Sequence, residues 1–191
     1  MRKILIVLIL FFYWVTAMCQ NNNYVSLSIG KTTSEYRYFA KYNGIFHLGL
    51  SGEHYLNKNF FINMNSNFGN LKNKYNTKAW FVNVSIGGGY ELTIIKRLNL
   101  SYNFGIGYEK LNIIPYTTNK ITLNGITFIN ALSLKYKIKG GMNLILGYKV
   151  QQSDMNKNDA FSALNYFHRT RFGALTLGIG FNLKQNKDEK E

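Results

Sequence analysis

Cysteine occurs once in the 191 residues, proline once, and acidic residues 9 times against 23 Lys and Arg. The lone cysteine, Cys19, excludes an intrachain disulfide framework and any metal centre built from several thiolates. The lone proline, Pro115, excludes Pro-rich linkers, whereas 17 glycines suit a chain of many strands and turns. Charged residues make up only 17%, below the roughly one quarter usual in soluble domains. The formal net charge of +14 raises nucleic acid as a partner. No nucleic-acid recognition motif is visible, however, and Lys and Arg sit mostly in the connections between apolar segments. Anionic lipid head groups fit such a surface better.

The start of the chain explains why a basic surface would meet lipid. Arg2 and Lys3 precede an apolar run from Ile4 to Val15, and Ala17-Met18-Cys19 follows as a small-residue cleavage motif. The run is shorter than the roughly 20 residues of a spanning helix. Residues 1–19 therefore read as a secretory signal, 20–183 as one domain and 184–191 as a polar tail. Cys19 either leaves with the signal or is acylated as the first mature residue; Met18 stands where lipidation prefers a small residue.

From Tyr24 onward the dominant signal is alternation. Leu98, Leu100, Tyr102, Phe104, Ile106 and Tyr108 alternate with Asn99, Ser101, Asn103, Gly105, Gly107 and Glu109, the period of a strand with one apolar face. The preceding segment repeats it: Trp80, Val82, Val84, Ile86 and Tyr90 face away from Phe81, Asn83, Ser85, Gly87, Gly89 and Glu91. The polar set is Asn, Ser and Gly rather than Lys and Glu. Such residues suit a narrow wet lumen, so the apolar set is expected to face lipid.

Eight such strands are expected, with connections alternating long and short. Short turns fall near Asn57, Lys96 and Gly140. Long connections cover Ser34–Asn43, Leu71–Lys78, Leu111–Asn124 and Gln152 to about Phe167. The pattern predicts an all-β, eight-stranded antiparallel up-and-down transmembrane barrel, both termini on the short-turn side. Closure is required, because an open edge in hydrocarbon leaves backbone groups unpaired. Tyr90 and Tyr136 are expected in the aromatic girdle at the turn side, and Tyr108 and Tyr148 in the one at the loop side.

The alternating strands, Gly89-Tyr90, Gly105-Ile106-Gly107-Tyr108, Gly147-Tyr148, Gly178-Ile179-Gly180, and the closing strand Leu175–Leu183 with Phe181 resemble the small outer-membrane β-barrel proteins of Gram-negative bacteria, the porin-like and OmpA-type group. The resemblance covers Asn23 to Leu183. It implies residence in the outer membrane with periplasmic termini, contact with lipopolysaccharide, and insertion by the barrel assembly machinery. The tail after Phe181 departs from the aromatic terminus of that group, and no peptidoglycan-binding domain follows.

Parity then assigns the charges. Glu53, Glu91, Lys135 and Lys137 point inward near the turn side and are expected to form a lumen ion-pair cluster, since unpaired charge in a narrow interior is costly. Lys31, Arg37, Lys41, Lys72, Lys74, Lys78, Lys110 and Lys120 are expected on outward basic loops, opposite lipopolysaccharide phosphates. His47 reads as a lumen side chain, lacking a second ligand at metal spacing. Ser153, Asp154, Asp159, Ser162 and His168 bear catalytic groups, but composition alone is not a triad. The expected protein is non-enzymatic, without cofactor, metal or nucleic acid, with a structural or surface role. The alternatives are a narrow porin-like channel, or a barrel subunit of a secretion or envelope complex with protein partners.

Overall fold

The computed structural model describes residues 23–34, 42–73, 78–114, 121–155 and 169–183. The expected signal segment and polar tail lie outside them. Eight strands follow in order: β1 Asn23–Ser34, β2 Tyr42–Tyr55, β3 Phe60–Asn73, β4 Lys78–Ile95, β5 Leu98–Ile114, β6 Ile121–Lys137, β7 Met142–Met155 and β8 Arg169–Asn182. Each pairs antiparallel with its neighbours in sequence, and β1 closes on β8. Every edge is thereby paired, as hydrocarbon demands.

Burial inverts the usual order of a soluble domain. Ile86, Ile106 and Leu177 are 63%, 45% and 52% exposed, while Asn83 and Ser101 are 1% and 0% exposed. Asn, Ser, Thr and Gly line much of a narrow lumen, and the apolar outer face lies in the bilayer.

The three short turns are local in origin. Asn57 Oδ1 accepts from the backbone N–H of Asn59 at 2.9 Å and Phe60 at 2.8 Å, closing the turn between β2 and β3. Lys96 and Arg97 alone join β4 to β5. Between β6 and β7, Gly140 and Gly141 both adopt φ of 73°, a conformation that a side chain disfavours. The first and last described residues of the barrel meet at this same rim, where the Leu183 N–H donates to the Asn23 carbonyl at 2.7 Å.

At the opposite end the strands run further than the alternation indicates. The ladder pairs Lys72 with Lys78 and Lys78 with Ile114, and β7 continues to Met155. Segments read as loops thus begin as strand. The reason is physical: a ladder needs only backbone partners, so beyond the lipid it continues with polar residues on its outer face. Apolar alternation marks the membrane belt, not strand length. One girdle assignment changes accordingly. Tyr148 pairs with Leu132 and Leu175, midway along β7 rather than at its outer end.

Candidate functional site: the filled lumen

Inward parity gathers charge at the turn end. Lys135 Nζ of β6 lies 2.6 Å from Glu53 Oε2 of β2 and 2.9 Å from Glu91 Oε2 of β4. The Tyr55 hydroxyl lies 2.6 Å from Glu91 Oε2 and 3.0 Å from Glu53 Oε2, where it donates to one of the pair. Its oxygen accepts from Lys135 at 3.2 Å. Asn99 donates to the other Glu91 oxygen. The ammonium also sits over the Tyr24 ring, 4.7 Å from its centroid, and the Phe61 ring at 5.3 Å. The ammonium thus has two carboxylates and two ring faces around it, and Glu91 accepts from Asn99 besides Lys135, which offsets the desolvation of these charges.

Lys137 is not part of this group. Two residues further along β6, it is exposed at the rim opposite Asn143. Parity set its direction correctly, but the strand carries it past the polar interior into water.

Above this cluster lies a cavity of about 60 Å³, lined by Ser26, Ser51, Asn65, Ser133 and Thr176, with both Lys135 and Lys149 on its wall. A second network follows. Lys149 donates to Asn67 Oδ1; Asn67 Nδ2 donates to Asn83 Oδ1 at 2.8 Å. Asn83 in turn donates to Gln151, and Gln151 to Glu109 Oε2. Ser153 Oγ donates to the same oxygen at 2.8 Å. An ammonium and a carboxylate are thus connected through three amides spread over β3, β4 and β7. Alternation along β5 turns Glu109 inward, but it does not join that residue to Lys149, because the contact crosses the closed barrel.

Apolar side chains cluster inside the barrel towards the loop end. Phe81 and Phe172 stack with centroids 5.1 Å apart and planes 5° apart. Leu71, Leu111, Ile113, Leu123 and Met155 pack with them, all buried. Gly69 makes this packing possible, since a Cβ there would stand 2.4 Å from Phe81 Cζ. His47 is buried beside Phe81 with ring centroids 6.4 Å apart. Among the described residues no group of three His, Cys, Asp or Glu could hold a metal ion.

The remaining candidates separate. Ser153 faces the lumen, whereas Asp154 points outward on the same strand, so the two do not converge. Asp159, Ser162 and His168 lie outside the described residues, as do Arg37, Lys41, Lys74 and Lys120. Lys31, Lys72, Lys78 and Lys110 belong to strands rather than loops. Lys78 borders an external depression of about 410 Å³ walled by Phe68, Asn70, Trp80 and Ile114.

Comparison with solved structures finds this barrel repeatedly. Neisserial surface protein A superimposes with a TM-score of 0.63 at 12% identity, covering 85% of this chain and 97% of its own. A major outer membrane protein from Thermus thermophilus gives 0.56 at 11% identity, with 84% and 98% covered. The N-terminal β-barrel domain of Pseudomonas aeruginosa OprF gives 0.54 at 15% identity, with 85% and 98% covered. At these identities the shared property is the fold, that of small outer-membrane barrels. No curated protein matches the chain. A family model described as "Protein of unknown function (DUF3575)" matches residues 7–145.

Proposed function

The chain belongs to the DUF3575 family, and from that membership and the filled lumen we propose that it is a non-conducting, non-catalytic barrel of the outer membrane that works through its outer surface. The observation that carries this reading is the apolar plug around Phe81 and Phe172 above two closed polar networks. Ion passage requires a continuous polar path with exchangeable partners. Here the Lys135 ammonium is already held by Glu53 and Glu91, and an ion would have to displace buried rings besides. Ser153 and Asp154 face opposite sides of β7, so the hydroxyl and carboxylate of that strand do not converge, which supports a non-enzymatic role.

Export through the N-terminal signal, insertion by the barrel assembly machinery and periplasmic termini complete the proposal. Outward Lys72, opposite outward Lys78 in the ladder, favours contact with phosphorylated outer-leaflet lipid. Like charges directly opposite repel unless an anion lies between them. Envelope fractionation and proteoliposome uptake test the reading together. The protein should sediment with the outer membrane, and its liposomes should admit small sugars no faster than protein-free ones. Sugar entry at a protein-dependent rate would replace this reading with the porin-like one.

A further inference from the structure

One lipid-facing residue does not belong to its surroundings. Asn130 points outward from β6 and is exposed, with Ile126 and Phe128 towards the loop end and Leu132, Leu134 and Tyr136 towards the turn end, all exposed on the same face. Strand rise and barrel tilt set it about 10 Å below Ile126 and about 15 Å above Tyr136, near the centre of the apolar band. Its ladder neighbours are Phe104 on β5 and Val150 on β7, both outward. The Tyr102 hydroxyl donates to Asn130 Oδ1 at 2.7 Å. That bond fixes the side chain and occupies one lone pair. Nδ2 retains its two donors, aimed into hydrocarbon, where an unmet polar group is costly.

We propose that Asn130 marks a two-fold contact at which a second copy of this chain docks through the β5–β7 face. A carboxamide is self-complementary: across a two-fold axis each Nδ2 donates one hydrogen to the free lone pair of the other Oδ1, so the pairing meets one donor and the remaining acceptor site in each copy. A lipid tail offers no acceptor. The Tyr102 bond holds the amide in one orientation before docking, which reduces the entropy lost on association. The flanking side chains are apolar and require no partner of opposite charge, consistent with an isologous contact between like surfaces. Polar side chains join membrane segments in this way when the alternative is an unmet donor in lipid.

Single-molecule photobleaching of the full chain in lipid bilayers, over a range of protein-to-lipid ratios, reads the dimer directly. The wild-type protein should dimerise, and N130L should raise the dissociation constant about tenfold while inserting normally. In membranes treated with a short bis-maleimide, V150C in a Cys19→Ser background, one strand from Asn130, should form a cross-linked dimer, a readout that leaves the carboxamide in place. A wild-type monomer at every ratio, a dimer unaffected by N130L, or V150C that never cross-links would each overturn the proposal. A stable complex with a different protein through this face would do the same. None of these results bears on whether the lumen conducts.

Discussion

Lys149 on β7 and Glu109 on β5 are connected across the lumen by Asn67, Asn83 and Gln151, every donor in the chain pointing towards the carboxylate. Each amide oxygen faces the ammonium side and each amide nitrogen the carboxylate side, so the three dipoles align between the charges. In a low-dielectric interior such a series polarises along its length. A continuous path of hydrogen bonds therefore joins the two groups without their touching.

A double-mutant cycle tests that coupling. Lys149→Met and Glu109→Gln should show an interaction of about 1 kcal/mol in unfolding free energy. Additive effects would mean that the chain does not connect the two charges.

The turn-end cluster makes a sharper contrast. Lys135→Met strands two buried carboxylates and should cost about 3–5 kcal/mol, read as a lower melting temperature in detergent or lipid. Adding Glu53→Gln and Glu91→Gln should restore most of the loss, because the uncompensated charge is then gone. Glu91→Lys should also lower the melting temperature. Lys137→Met, at the exposed rim, should change stability by no more than about 0.5 kcal/mol.

The inverted surface predicts the response of the exterior. Ile106→Arg, on the outer face of β5, should destabilise the inserted barrel by about 2–4 kcal/mol in bilayers. A water-facing site with the same 45% exposure would tolerate it. Equilibrium folding into vesicles distinguishes the two.

At the β6–β7 turn, Gly140 has a φ of 73°, and a Cβ at this position would meet no atom within 4 Å. The cost of Gly140→Ala is therefore conformational, about 1 kcal/mol, and shows as faster unfolding or a lower melting temperature.

Periodicity made the strand order, the inward Asn and Ser positions and the membrane belt legible in the sequence, because alternation reports which face each residue takes. It did not report length. Lys72, Lys78 and Lys110 read as loop residues because their outer faces carry charge, yet the backbone ladder continues through them. Glu53, Glu91 and Lys135 could be grouped by direction and height alone. Lys137 shared their direction but not their depth. The Lys149–Glu109 connection and the Phe81–Phe172 plug were out of reach for a different reason. Each spans strands far apart in sequence, and only closure of the barrel sets which inward residues meet.

Single-channel recording in planar bilayers tests the proposed closure of the lumen most directly. Wild-type protein should produce no discrete conductance steps at protein levels confirmed by recovery from the bilayer-forming vesicles. Steps of reproducible size from the wild-type chain would contradict the proposal that the stacked rings of Phe81 and Phe172 close the lumen.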